Sequence, residues 1–115
     1  MKKNIGARIR VIAIIAFGGT QENYKLPKFV ENSVAESLYS RLIQMIDRGE
    51  INEAENLLLD KIEGGDFTDM QIALYFYSYL NEKSDEFLGL HNYKREEIEV
   101  GISNLIFTLG YDKIL

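Results

Sequence analysis

Acid–base or nucleophilic chemistry in this chain would have to start from His91, the only imidazole, because the sequence contains no cysteine. A nucleophile needs a base within hydrogen-bond reach, and His91 sits in the polar bend His91-Asn92-Tyr93 with no serine at a recognisable elbow. A surface or capping role suits it better than catalysis. Asp66 and Asp69 flank Phe67-Thr68, but the alternating ligands and closing glutamate of an EF-hand are missing, and helix capping explains the pair. Glu96, Glu97 and Glu99 would supply carboxylates for general acid–base work. Helical spacing turns Glu96 and Glu97 to different sides, however, and a first-turn cluster is what the helix macrodipole favours. Gly18-Gly19 and Gly64-Gly65 lack the spaced glycines and the Lys-Ser/Thr pair of a phosphate loop. A structural zinc site would have to lean on carboxylates, against its usual ligand set. The expectation is therefore no catalytic residue, no metal site and no cofactor.

Binding is the remaining chemistry. Tyr75, Tyr79, His91 and Arg95 are expected to line one cleft suited to an anion or a peptide, because tyrosine and arginine give contact area and polar handles at low entropic cost. The competing use of the tyrosines is to fill a core. Ile9 and Ile12 are the other partner-binding candidates. They lie on a wide apolar face of the first segment, which the spacing buries either in the core or in a dimer.

The charge distribution narrows the partners. The formal net charge is −5 over 115 residues. Residues 1–28 carry Lys2, Lys3, Arg8, Arg10, Lys25 and Lys28 against Glu22 alone, so the rest of the chain stands at −10. An acidic body repels nucleic acid, whose phosphates need a basic surface to displace their counterions. The basic, apolar first segment offers an alternative, peripheral association with an anionic membrane surface. Its run Val11-Ile12-Ala13-Ile14-Ile15-Ala16-Phe17 is too short to span a bilayer. It imitates a secretory signal only loosely, since Arg8 and Arg10 crowd it. The lack of cysteine fits a reducing compartment, so a cytoplasmic protein is expected.

Helical periodicity organises the rest. Ile5, Ile9, Ile12 and Ala16 share one face, widened by Val11 and Ile15. Residues 18–32 form an irregular linker around Pro27, which Tyr24, Leu26 and Phe29 are expected to pin to the core. Ser33 and Glu36 at capping-box spacing open a second helix, with Val34, Leu38, Leu42, Met45 and Ile46 on its stripe. Gly49 closes it, and a third helix follows over about Asn52 to Ile62, burying Ala54, Leu57 and Leu58. Gly64-Gly65 breaks this helix, and Thr68 with Gln71 marks the next capping box. The following helix is apolar or aromatic nearly all round, from Met70 to Leu80, which makes it central. Ser84 caps a short piece. A last helix over about Tyr93 to Leu109 has Gly110 as its left-handed cap and Tyr111 folding back on Ile106. Gly101 falls on its apolar face, where a glycine signals a close helix–helix approach.

Two resemblances follow. The run Gly49-Glu50-Ile51-Asn52-Glu53-Ala54 with Leu58 resembles the tetratricopeptide repeat, whose helix-joining turn carries glycine, a large apolar residue and a small alanine. The first limb departs from it, with Leu42 where a small residue would sit. No second copy occurs at the roughly 34-residue period of that repeat. Residues 42–59, Tyr79-Leu80-Asn81-Glu82-Lys83-Ser84-Asp85 and Arg95-Glu96-Glu97-Ile98 resemble a group of small bacterial all-helical proteins of unassigned function. That resemblance implies a fold and no activity.

The chain thus reads as one all-α domain over 1–115: an amphipathic helix over 1–17, a linker over 18–32 and a helical body over 33–115. It forms a compact bundle of five to six helices with a tetratricopeptide-like hairpin. The expected function is a non-enzymatic protein–protein interaction or self-association, with an unknown protein partner or a homodimer. Peripheral membrane association and an unrecognised enzyme are the alternatives.

Overall fold

A computed structural model describes residues 2–18, 26–62 and 66–108. Six helices and no strand occur among them: α1 (Lys2–Phe17), α2 (Val34–Asp47), α3 (Ile51–Lys61), α4 (Phe67–Asn81), α5 (Asp85–Leu90) and α6 (Arg95–Thr108). The centre is α4. Nine of its fifteen residues are buried, including Leu74, Phe76, Tyr77 and Leu80. A helix apolar on all sides can only satisfy its surface by being surrounded, and α1, α2 and α6 pack around it.

Local chemistry sets the ends of the hairpin. The Glu36 amide donates to Ser33 Oγ, and the Asn32 amide donates to Glu36 Oε1, a capping box shifted by one residue on its return limb. At the other end of α2, the Gly49 amide reaches the Ile46 carbonyl and the Glu50 amide the Met45 carbonyl. This is a Schellman closure, and it needs the left-handed backbone of Gly49, whose φ is +84°. The His91 ring lies directly over that glycine, so a β-carbon there would collide with it. With α2 closed so abruptly, α3 folds back along it. Leu42, Ile46, Ile51, Ala54 and Leu58 are fully buried.

The first helix is a core element. Ile5, Ile9, Ile12 and Ala13 are at most 3% exposed, and α1 packs mainly on α4. The side-chain amide of Asn81, at the end of α4, donates to the Lys2 carbonyl at the start of α1, and Phe17 stacks edge-on against Phe67 at the opposite end. The two helices therefore run antiparallel. Val11 and Ile15 do not widen the buried face; they are 40% and 37% exposed, because α4 and α6 fill only one side of α1.

Other boundaries differ from those the sequence suggests. Val34 is 87% exposed, since the first residue of α2 projects before the helix reaches the core. Asp66 rather than Thr68 caps α4, its carboxylate accepting from the Asp69 amide. Gln71 is released from capping and donates to the Pro27 carbonyl at 2.7 Å, anchoring the linker. The last helix starts at Arg95, where Glu97 caps the Lys94 amide, and leaves Tyr93 buried ahead of it. The expectations for Tyr24, Gly64-Gly65, Leu109, Gly110 and Tyr111 lie outside the described residues.

Candidate functional site

Tyr75, Tyr79 and His91 belong to a half-buried ladder spaced four residues apart along α4 and α5: Tyr75, Tyr79, Lys83, Phe87 and His91. Its upper end is filled. The Tyr75 hydroxyl lies 2.9 Å from the Pro27 carbonyl and 3.1 Å from the Leu26 carbonyl, and Phe29 stacks on both Tyr75 and Tyr39. Burial beside two other phenols pushes the Tyr39 hydroxyl up to about 12. Farther along, Tyr79 and Lys83 both donate to Asp47 Oδ1, at 2.7 and 2.8 Å. The Lys83 ammonium also stands over the Tyr79 and Phe87 rings, and Phe87 stacks on His91. These bonds hold the Asp47 carboxyl below the usual range, Lys83 contributing most. The ladder joins α2 to α4 and α5, with the linker closing one end.

Arg95 is not part of that ladder. Its guanidinium turns inward, with the side chain 7% exposed. Nη1 donates to both the backbone carbonyl and Oδ1 of Asn81 at 2.9 Å, Nη2 donates to the Lys83 carbonyl, and Nε donates to Asp85 Oδ1 at 2.7 Å. A cation at the last carbonyls of α4 satisfies acceptors that the helix itself leaves open. Because Asn81 also holds the Lys2 carbonyl, one side chain organises the meeting of α4, α5, α6 and α1. Arg95 borders a shallow cleft of about 280 Å³ with Asp85, Leu88, Tyr93, Lys94 and Glu96. Ile9 and Ile12, for their part, face the core at 3% and 2% exposure.

A second cleft, between α3 and α6, was not visible in the sequence. It encloses about 200 Å³ and is lined by Glu55, Leu59, Tyr77, Glu97, Val100, Gly101 and Asn104. Glu55 Oε2 accepts from two phenols, Tyr77 at 2.8 Å and Tyr93 at 3.2 Å. Burial raises the pKa of Glu55 and outweighs the two phenol hydrogen bonds, which act in the other direction; Glu97 adds a small upward push. Both tyrosines are themselves raised well above the ordinary phenol value, chiefly by burial and then by the Glu55 charge. The only trace of Glu55 in the sequence is its position at the edge of the α3 apolar stripe, between Ala54 and Leu58.

The floor of this cleft depends on Gly101. A β-carbon there would stand 2.7 Å from Cε1 and Cζ of the fully buried Tyr77. Gly101→Ala should therefore destabilise the protein by about 1–2 kcal/mol, because so close an approach puts the overpacking penalty at about 2–3 kcal/mol, the upper part of its usual range, and the gain in helix propensity returns about 1 kcal/mol. Urea unfolding measures this, and a variant more stable than wild type would show that Tyr77 has room to move.

Glu55 also predicts a pH dependence. Its folded pKa lies above the ordinary value of 4.5, so the folded state keeps the proton to higher pH than the unfolded chain. The stability it contributes is complete below 4.5 and is lost as pH rises through the raised folded value. The stability of wild type relative to Glu55→Gln should fall as the pH rises above that value. Parallel urea titrations read the difference, and a difference that grows with pH would contradict the raised value.

Among the described residues, no group of three His, Cys, Asp or Glu side chains is placed to hold a metal ion. No helix among them is long and apolar enough to cross a membrane. What the fold and its clefts define is a small all-α bundle whose buried polar side chains, Gln71, Asn81 and Arg95, tie one element of the chain to another. The chain belongs to DUF6483, a family of unknown function, whose model it matches over residues 1–110. No curated protein and no solved structure matches it.

Proposed function

We propose that this protein is a non-enzymatic interaction module that offers the outer surface of α1 and α6 to another protein, in the first instance a second copy of itself. The observation that carries this reading is where the leftover apolar side chains fall. Arg8 Nη2 donates to Ser103 Oγ at 2.8 Å and sets α1 beside α6. Val11 and Ile15 lie one and two turns beyond Arg8, and Phe107 lies one turn beyond Ser103, so they gather at the same end of the pair. Val100 and Phe107 are 57% and 74% exposed. Scattered exposed hydrophobics are ordinary, but a group of them on two adjacent helices marks an interaction surface. A membrane surface would need the main apolar face of α1 to be free, and that face is packed in the core. The protein partner is preferred for that reason.

Light scattering tests the reading. Wild type should show twice the monomer mass, and the double variant Val11→Asp with Phe107→Asp should show the monomer mass with its helicity retained, because both side chains face solvent. A wild-type monomer at every concentration, or a double variant that still dimerises, would overturn it.

A further inference from the structure

Gln71 and Tyr75 stand one turn apart on α4, and Tyr39 of α2 lies against Tyr75 with ring centroids 5.3 Å apart. These side chains wall a groove between the two helices, and residues 26–29 of the linker lie in it. Gln71 Nε2 donates to the Pro27 carbonyl at 2.7 Å, and the Tyr75 hydroxyl lies 2.9 Å from that carbonyl and 3.1 Å from the carbonyl of Leu26. The Phe29 ring packs beside both tyrosines, its centroid 4.8 Å from Tyr75 and 5.1 Å from Tyr39. Leu26, Pro27 and Phe29 are half-buried, whereas Lys28 and Val30 are exposed. Gln71 is only 6% exposed. A buried amide must find an acceptor, and the one described for Gln71 belongs to the linker.

An extended, proline-containing peptide is recognised in this way, with side-chain donors taking its carbonyls and aromatic rings taking its apolar side chains. Proline has no amide to satisfy and keeps the residue before it extended, so such a segment presents its carbonyls at low entropic cost. Among the described residues, no backbone–backbone hydrogen bond joins residues 26–29 to another element. The hold comes from the side chains of Gln71, Tyr75 and Tyr39. The neighbouring helices have anchors of their own. Helix α2 starts from the cap made by Ser33 and Glu36, beyond the segment. Helix α1 is fixed by its buried isoleucines and by the bonds from Arg8 to Ser103 and from Asn81 to Lys2. The groove can therefore change its occupant without undoing either helix.

We infer that the α2/α4 groove is a peptide-binding site, closed in cis by residues 26–29, and that a partner protein opens it with an extended segment of the same pattern: an apolar residue, proline, any residue and an aromatic. The cis segment is then an autoinhibitory contact, because a partner must displace it and so binds more weakly than it would to an empty groove. A second copy of this chain is the poorer occupant, since exchanging identical segments replaces each contact with itself. This site uses none of the residues of the α1/α6 face and does not rest on the reading given for that face.

A labelled peptide with the sequence of residues 26–31 is the probe, and fluorescence anisotropy with the full chain reads its binding. Wild type should bind it weakly, because the tethered segment competes at an effective concentration in the roughly millimolar range. Phe29→Ala loosens the tethered segment and should tighten peptide binding at least about threefold. Adding Tyr75→Phe should remove at least about threefold of that affinity. The same peptide with its phenylalanine replaced by alanine should bind more weakly to every form of the protein. Wild type carries the test if Phe29→Ala does not fold: excess peptide should shift the amide resonances of residues 26–30 as they leave the groove. The inference is overturned if the peptide fails to bind Phe29→Ala, binds it no more tightly than wild type or ignores Tyr75→Phe. Resonances of residues 26–30 that stay fixed under excess peptide overturn it as well. Each of these results leaves the α1/α6 reading untouched.

Discussion

Deleting residues 1–19 is expected to unfold the protein rather than to release a folded monomer. Ile5, Ile9, Ile12 and Ala13 are at most 3% exposed, and burying one isoleucine side chain is worth about 1.5–3 kcal/mol. Three isoleucines thus contribute about 5–9 kcal/mol on that scale, against a total stability of about 5–15 kcal/mol for a typical domain. The loss is compounded, because the faces of α4 and α6 that α1 covers would meet water. The Asn81 amide would also lose the Lys2 carbonyl. Far-UV circular dichroism with thermal melting measures the result. A truncated chain that melts cooperatively near the wild-type temperature would show that the core closes without α1.

The largest effect expected from a single residue is at Arg95. Arg95→Ala removes every donor that serves the Asn81 and Lys83 carbonyls and Asn81 Oδ1. It also leaves Asp85 without its ion pair, although Asp85 is 84% exposed and loses little. Unpaired buried acceptors cost about 1–3 kcal/mol each, and breaking a buried charged network costs about 3–5 kcal/mol in all. The expected loss is therefore about 3–5 kcal/mol by urea unfolding. Arg95→Lys should recover only part of it, because an ammonium cannot span acceptors on two sides as the planar fork does. Stability within about 1 kcal/mol of wild type would mean that water replaces the guanidinium.

Arg95 also shows where reading from sequence goes astray. An arginine in the first turn of a helix, near a lone histidine and two tyrosines, suggests a shared binding cleft. In the fold, Tyr75, Tyr79 and His91 share a ladder on α4 and α5, while Arg95 turns the other way, into the junction of four helices. Four-residue spacing places side chains on one helix face but does not say what that face will meet. The α1 residues illustrate the same point: period alone assigned Ile9 and Ile12 to an apolar face, which the core and a dimer would serve equally well.

The sequence by itself determined the helices, their order and most of their ends. Those features are local: the Ser33 and Glu36 cap, the left-handed Gly49 and the all-round apolar α4 act within a few residues of themselves. Gly101 was legible too, because a glycine on an apolar helix face has few uses besides a close approach. Only the tertiary structure decided that α1 closes the core, that Arg95 is a buried junction and that Glu55 sits beneath two phenols. Glu55 meets Tyr77 and Tyr93 across 22 and 38 residues of chain. A contact of that kind depends on how the helices pack rather than on any pattern within one of them, and the acidic cleft came into view only when α3 and α6 were set on either side of Tyr77.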